Sequence, residues 1–255
     1  MLLRQARWLA IMRNVLVTGG SRGLGLGIVR RLTTEGYRAF AVARKMSDQL
    51  ASAIEEAEQS RPGSLQFIPF DLGDIQDIPG LVKTLRKDFG PLYGLVNNAA
   101  LGLDGALALM HNSQIERLIR VNTISPIVLT KYVVRHMMAD GGGRVVNVSS
   151  IIGFTGYSGL SVYAATKASM IGFTRSLARE VGRLGINVNA IAPGFMDTDM
   201  TQGLEGERRE QVARRSALRR LPDVEDVVDA VEFLLGDKAK SITGTVLTVD
   251  AGTTA

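Results

Sequence analysis

The sequence predicts a single α/β domain in which helices cover both faces of a parallel sheet. Short apolar segments alternate with amphipathic stretches from residue 14 to residue 252. These apolar segments are continuous, and no repeat or linker-like composition divides the 255 residues. Continuous apolar strands separated by helices are typical of parallel sheets buried on both faces. A chain of this length is sufficient for one such domain.

Seven segments have the composition of buried strands. They are 14–20, 37–44, 65–72, 93–100, 143–150, 186–194 and 243–252. Apolar residues three or four apart predict helices between them. These helices cover 25–36, 47–60, 77–89, 112–139, 163–181, 207–220 and 223–236. Strand and helix therefore alternate through most of the chain.

Residues 1–13 are predicted to precede a domain that spans 14–255. Their sequence, MLLRQARWLAIMR, has three arginines and no acidic residue, a composition similar to a mitochondrial presequence. Met12 directly precedes the first strand, which equally fits an upstream start codon or a loose extension. We expect a cytoplasmic protein, with the mitochondrial matrix as the alternative if this segment belongs to a presequence.

Composition excludes several classes of site and partner. The chain has no cysteine, so disulfides, thiolate metal sites and a cysteine nucleophile are excluded. The two histidines, His111 and His136, lie in ordinary helical sequence, so we expect no metal site and no Ser-His-Asp triad. No apolar run approaches the ~20 residues of a membrane-spanning helix. We expect neither a membrane nor a nucleic acid as partner, since no nucleic-acid-binding module is recognisable.

The formal net charge of +5 permits an anionic partner. The densest basic cluster, ERREQVARRSALRR, occupies 207–220 and also contains two glutamates. This pattern indicates either a solvated helix face or a docking surface for an acidic partner.

A glycine-rich turn follows the first strand. In VLVTGGSRGLG, Thr18, Gly19, Gly23 and Gly25 stand where the strand passes into the first helix. Glycines at this point let backbone N–H groups approach a pyrophosphate, which the helix N-terminus also favours. The TGxxxGxG spacing differs from the general GxGxxG dinucleotide motif, but its position indicates a Rossmann-type dinucleotide site.

The end of the second strand discriminates between the two nicotinamide dinucleotides. An acidic residue there would bind the ribose 2′-hydroxyl of NAD, whereas arginine suits the 2′-phosphate of NADP. The strand ends AVARK, with Arg44 and no acid, and Arg22 of the glycine turn can approach the same phosphate. This favours NADP(H), with Arg44 as a plain surface residue as the alternative.

Tyr163 and Lys167 are one helical turn apart, so their side chains share a helix face. A phenol has an ordinary pKa near 10, and a neighbouring ammonium is expected to lower it. Such a pair would make a general acid usable near neutral pH. The alternative is an amphipathic helix in which the two residues are neighbours without a shared role.

Together with further motifs in the same order, this pair resembles the short-chain dehydrogenase/reductase family over residues 14 to 252. The matching segments are TGGSRGLG, FDLGD with Asp71, NNAA at 97–100 with Ala100 in place of glycine, RVNTISP with Asn122, NVSS ending at Ser150, YAATK, and APGFMDTDM. The resemblance implies a catalytic set of Asn122, Ser150, Tyr163 and Lys167. It also implies cofactor contacts from Thr18, Gly19, Ser21, Arg22, Gly23, Leu24, Gly25, Arg44, Asp71, Leu72, Asn98, Ala99, Tyr163, Lys167, Pro193, Gly194 and Thr198.

The resemblance further implies a mechanism. NADPH would deliver hydride to a carbonyl carbon while Tyr163 protonates the oxygen and Ser150 hydrogen-bonds it. Asn122 would hold a water that links Lys167 to solvent. Ser149 is expected to point to the other face of its strand, which leaves this role to Ser150.

Within the family, the sequence is most similar to 3-oxoacyl-[acyl-carrier-protein] reductases. This implies a hydrophobic carbonyl or acyl-thioester substrate, an acidic acyl carrier protein as a partner, and a homotetramer. The loops where such reductases often carry basic residues retain mainly Arg144 and Arg183, so free ketones, quinones and acyl-CoA stay open as substrates. A non-catalytic dinucleotide sensor and an anion-binding interaction protein are the alternatives outside this enzyme class.

Overall fold

The computed structural model describes residues 12–196 and 207–255, and side chains of the second range from residue 210. Its sheet has seven parallel strands in the order β3-β2-β1-β4-β5-β6-β7. They are β1 (Asn14–Thr18), β2 (Arg38–Ala43), β3 (Leu65–Pro69), β4 (Leu92–Asn97), β5 (Gly143–Val148), β6 (Ile186–Pro193) and β7 (Val246–Val249). The predicted doubly wound parallel sheet is confirmed.

The helices follow the predicted alternation. They are α1 (Gly23–Thr34), α2 (Asp48–Ser60), α3 (Ile78–Phe89), α4 (Asn112–Ile119), α5 (Ser125–Asp140), α6 (Ser161–Val181), α7 (Glu207–Arg215) and α8 (Val224–Leu235). Within the described ranges, no helix is long and apolar enough to cross a membrane. Residues 1–11 lie outside those ranges, so the boundary at residue 14 and the compartment stay predictions.

The inner strands of the sheet bury both of their faces. Along β1, Val15 and Val17 belong to one apolar core and Leu16 to the other. The first core contains α1 and α8, and the second contains α3, α5 and α6. This two-sided burial explains why the strand segments are apolar without alternation.

The predicted helix over 112–139 is interrupted by a π-helical turn at Arg120–Ile124. Pro126, early in α5, has no N–H and cannot donate to the carbonyl of Asn122, four residues earlier. An ordinary α-helical hydrogen bond is therefore excluded at that carbonyl. Such π turns occur frequently at functional sites.

Several predicted strands extend past their observed ends. β1, β4 and β5 stop at Thr18, Asn97 and Val148, two or three residues before the predicted ends. The residues that follow leave the sheet and form the loops of the carboxyl edge. Ligands of open parallel sheets bind at this edge.

Candidate active site

The glycine-rich turn connects the end of β1 to α1. Gly19 has a φ of 68°, a left-handed conformation that glycine adopts at low cost. A methyl group on Gly25 would overlap the carbonyl oxygen of Gly19, so the helix approaches the turn closely only because residue 25 is glycine. This cradle presents the N-terminus of α1 at the carboxyl edge, as a pyrophosphate site requires.

Polar contacts fix the turn to β4. The Thr18 hydroxyl accepts hydrogen bonds from the backbone N–H groups of Asn98 and Ala99, both at 3.0 Å. In return, the Asn98 side-chain amide donates to the Thr18 carbonyl at 2.9 Å. These predicted cofactor residues therefore form one cluster at the ends of β1 and β4.

The remaining residues of the turn divide between exposed and buried positions. Arg22 and Gly23 are exposed, whereas Leu24 is buried in the core. The Ser21 carbonyl accepts a hydrogen bond from the hydroxyl of Ser47, the N-cap residue of α2. This contact connects the turn to the segment after β2, which carries the exposed Arg44.

Asp71 and Leu72 follow β3 at the same edge. The exposed Asp71 carboxylate accepts a hydrogen bond from the Gly73 backbone N–H at 2.8 Å. The partly buried Leu72 side chain packs against the core, which makes its backbone the candidate contact. The two residues therefore offer different groups to a cofactor.

Lys167 is buried, with 4% of its surface exposed, and its ammonium donates to the Val148 carbonyl at 2.8 Å. The Lys167 Nζ lies 5.7 Å from the centroid of the Tyr163 ring. Burial disfavours the charged amine and lowers the pKa of Lys167 to about 8. The predicted proximity of the phenol and the ammonium is therefore present.

The predicted fall in the pKa of Tyr163 is wrong. Burial raises that pKa to about 12, and a hydrogen bond with Ser150 acts in the opposite direction without reversing the shift. The cost of burying a phenolate exceeds the benefit of its neighbours. Tyr163 is consequently a neutral phenol at pH 7, the state that can donate a proton.

Ser150 stands at the end of β5, on the side of the strand that faces Tyr163. Its hydroxyl oxygen accepts a hydrogen bond from the Ile152 backbone N–H at 3.2 Å. This contact caps a short 3₁₀ turn, Ile151–Gly153, and orients the hydroxyl beside the phenol. The spacing-based choice of Ser150 is consistent with this arrangement.

Asn122 lies buried in the π-helical turn. Its side chain accepts from the Leu101 backbone N–H at 2.8 Å and donates to the Leu101 carbonyl at 2.9 Å. The side-chain amide also contacts the Thr166 hydroxyl at 3.2 Å, and that hydroxyl donates to the Tyr163 carbonyl. Asn122 therefore connects the loop after β4 to the helix of Tyr163.

Ser149 contributes a contact that the sequence analysis missed. Its buried hydroxyl donates to the Lys167 carbonyl at 2.8 Å. Strand alternation predicted that the side chains of Ser149 and Ser150 point in different directions. It did not predict that the Ser149 hydroxyl contacts α6. The two adjacent serines of NVSS were the sequence feature from which this contact could have been predicted.

The end of β6 closes the site on its other side. Pro193 is buried, and the Gly194 backbone N–H donates to the Val249 carbonyl of the neighbouring strand β7 at 2.9 Å. Phe195 packs against Tyr157, with ring centroids 5.5 Å apart. Thr198, a predicted carboxamide contact, lies outside the described residues.

The fold and these contacts define a parallel-sheet, dinucleotide-type site with a Ser-Tyr-Lys group at its carboxyl edge. The family model for short chain dehydrogenase matches residues 13–209. The chain belongs to the short-chain dehydrogenase/reductase family.

Alignments with named relatives extend over nearly the whole chain. The 3-oxoacyl-[acyl-carrier-protein] reductase FabG of Haemophilus influenzae is 37% identical over 237 residues, 93% of this chain and 96% of the relative. The enzyme of the same name from Escherichia coli is 37% identical over 93% of this chain and 95% of its own length. That from Staphylococcus aureus is 36% identical over 94% and 97%.

Solved structures agree with this fold. A short chain dehydrogenase from Burkholderia cenocepacia, in complex with NADP, has a TM-score of 0.88 and 34% identity, covering 95% of this chain and 98% of its own. A blue fluorescent protein from a metagenomic library, in complex with NADPH, has a TM-score of 0.88 and 33% identity over the same shares.

Proposed function

We propose that this protein uses NADPH to reduce the carbonyl of a 3-oxoacyl thioester to the corresponding secondary alcohol. The single observation that carries the proposal is the mutual proximity of Ser150, Tyr163 and Lys167 in a sheet whose first strand ends in the glycine-rich turn. Similarity to the reductases of three bacteria over more than nine-tenths of the chain supports the substrate class.

The residues present fit an NADP cofactor. The glycine turn leaves room for a pyrophosphate at the N-terminus of α1, since a methyl group on Gly23, the first residue of that helix, would meet no atom within 4 Å. β2 ends without an acidic residue, and the exposed guanidiniums of Arg22 and Arg44 would suit a 2′-phosphate. Structural neighbours with bound NADP and NADPH support this assignment.

When bound, NADPH supplies hydride to the carbonyl carbon. Tyr163 holds a proton at its phenol oxygen and donates it to the carbonyl oxygen, so that the product gains one hydride and one proton. Ser150 donates a hydrogen bond to the same oxygen and fixes its position. Lys167 and Asn122 hold the helix and the adjacent loop through the contacts described above.

The substrate side of the site is apolar. Phe154 and Tyr157 are about half exposed, at 50% and 48%, in the loop between Ser150 and Tyr163. Phe195 packs against Tyr157 from the end of β6. These aromatic surfaces support a substrate with an apolar chain, and they equally support a second candidate function, reduction of free apolar ketones or quinones.

The chain is further proposed to form a homotetramer. Ile124, the last residue of the π-helical turn, is 42% exposed, and Met138, near the C-terminal end of α5, is 48% exposed. Phe233 on α8 is 38% exposed. Apolar side chains at such positions suit contacts between copies of the chain. Sedimentation or light scattering of the purified protein measures the state directly.

A substrate panel tests the proposed function. Oxidation of NADPH is followed with acetoacetyl and longer 3-oxoacyl thioesters, simple ketones and a quinone, and each is repeated with NADH. We expect kcat/KM to be highest for the thioesters and to be higher with NADPH than with NADH. A higher value for ketones or quinones would select the second candidate, and NADPH binding without any turnover would indicate a sensor.

A further inference from the structure

We propose that Arg215, Leu218 and Arg219 form a docking surface, here named the basic turn, for an acidic carrier protein that delivers the acyl thioester. The inference rests on the proposed function, since it names the partner from which the substrate is taken. The sequence analysis identified a basic cluster over 207–220, and the proposal places the docking surface in the last part of that cluster.

The basic turn is built as a fixed structure. The buried Ser216 hydroxyl donates to the Arg220 carbonyl at 2.8 Å and accepts from the Arg220 N–H at 3.1 Å. These bonds hold Arg219 with a φ of 53°, a conformation that non-glycine residues rarely adopt. Unfavourable backbone of this kind persists only where surrounding contacts enforce it, and it clusters at functional sites.

The turn is fixed to the carboxyl edge of the sheet. The Leu218 N–H donates to the Ala251 carbonyl at 3.0 Å, and Ala251, which follows β7 closely, also has a positive φ of 55°. Next to it, Asp250 lies against Gly194 at the end of β6. Phe195 then reaches Tyr157 in the loop after Ser150. A continuous series of contacts therefore connects the basic turn to the loop that follows Ser150 in the proposed active site.

The charge of the turn is only partly neutralised. Arg214 pairs with Glu210 at 2.7 Å, and Arg220 pairs with Asp226 at 2.6 Å. Arg215 and Arg219 are exposed and have no acidic partner in the part of the chain that the structure describes. Leu218 between them is 63% exposed. Two unpaired guanidiniums around an apolar side chain suit an acidic, amphipathic partner surface.

The start of β5 carries one arginine, but that side chain is already engaged. Arg144 is only partly exposed, it donates to the Gly143 carbonyl at 3.0 Å, and its guanidinium lies 5.8 Å from the centroid of the Tyr93 ring. Arg183, before β6, is exposed. The basic turn thus presents two unpaired arginines and an exposed leucine on one segment, and charge complementarity selects an acidic protein as its occupant.

The test compares two double charge reversals. In the first, Arg215→Glu is combined with Arg219→Glu. The matched control combines Lys83→Glu with Lys87→Glu, which changes the net charge equally on the exposed surface of α3. Substrates are the acetoacetyl thioesters of N-acetylcysteamine, of coenzyme A and of a purified bacterial acyl carrier protein.

We expect the first variant to lose about tenfold in kcat/KM on the carrier-bound substrate at low salt, mainly through KM, and less at high salt because exposed charges are screened. The uncharged N-acetylcysteamine thioester should change less than twofold, which also shows that the variant is folded. The control variant should change less than twofold on all three substrates.

Three results would overturn the proposal: an unchanged kcat/KM on the carrier-bound substrate, an equal loss in the control, or an equal loss on the coenzyme A thioester, which would mean that the arginines bind nucleotide phosphates. Binding of fluorescently labelled acyl carrier protein to both variants requires no turnover. It therefore tests the basic turn even if the panel shows that the protein does not reduce thioesters.

Discussion

Substitution of Lys167 by methionine is expected to abolish turnover and yet to stabilise the protein at pH 7. Lys167 is 4% exposed, and burial lowers its pKa from the ordinary 10.5 to about 8. At pH 7 the amine is still charged in both the folded and the unfolded chain. The folded protein therefore bears the full cost of burying that charge.

The size of the effect follows from the pKa. A fall from 10.5 to about 8 corresponds to about 3 kcal/mol of lost stability at neutral pH, at about 1.4 kcal/mol per pKa unit. Methionine removes this cost but also removes the 2.8 Å hydrogen bond to the Val148 carbonyl, worth about 1–2 kcal/mol. The variant should be about 1–2 kcal/mol more stable than the natural protein at pH 7.

The difference in unfolding free energy between the variant and the natural protein should depend on pH. Between pH 8 and 10.5 the unfolded chain holds a proton that folded Lys167 has released, so the stability of the natural protein rises with pH in this range. The advantage of the variant should therefore shrink above pH 8 and disappear near pH 10.

Urea denaturation at pH 7 and pH 10, at one protein concentration, measures both values. Lys83→Met on the exposed surface of α3 is the control, and it should shift stability little and equally at the two pH values. The reasoning is refuted if Lys167→Met destabilises the protein by the same amount at pH 7 and at pH 10. In that case burial of the charged amine would not lower the stability of the natural protein.

Three further substitutions and one pH profile test the site. Tyr163→Phe should lower kcat by about 10²–10⁴-fold, the usual contribution of a general acid, with NADPH affinity close to that of the natural protein; persisting activity would remove the proton-donor role. Ala43→Asp with Arg44→Leu should shift the kcat/KM preference toward NADH, and an unchanged ratio would place the 2′-phosphate contact elsewhere. Ser149→Ala should lower the free energy of unfolding in urea by about 0.5–1.5 kcal/mol, because the Lys167 carbonyl loses a buried hydrogen bond but keeps its helical donor inside α6, and an equal stability would mean that this contact is dispensable. Because the pKa of Tyr163 is raised to about 12, reduction should show no loss from phenol ionisation below about pH 9, and a fall in kcat centred near pH 7 would assign the proton to another group.

Most of the fold followed from hydrophobic pattern. Each predicted strand and helix has a counterpart among the described residues, because apolar strands buried on both faces leave a continuous signal. The ends were less well predicted. The helix predicted over 207–220 ends at Arg215, since the buried Ser216 hydroxyl forms a turn with Arg220 in place of another helical turn.

The electrostatics of the site were not readable from the sequence. Spacing placed Tyr163 and Lys167 on one helix face, which the structure has, but it carried no information on burial. Desolvation dominates both pKa values and acts on both residues at once. The π-helical turn at Arg120–Ile124 was missed as well, although Pro126, which cannot donate to the Asn122 carbonyl, indicated an interruption of the α-helical pattern there.

The end of β5 explains how the buried ammonium of Lys167 and the partly buried phenol of Tyr163 are held together. Val148 accepts from the Lys167 ammonium through its carbonyl, Ser149 donates to the Lys167 carbonyl, and Ser150 contacts the Tyr163 phenol. The last residue of β5 and the two residues after it thus contact Lys167 and Tyr163 of α6, Val148 through its backbone carbonyl and the two serines through their hydroxyls. Since β5 is hydrogen-bonded to a strand on each side, a small displacement of α6 would break several of these contacts together. The pairing of β5 with both of its neighbours therefore supports the segment that keeps the buried ammonium and the neutral phenol side by side.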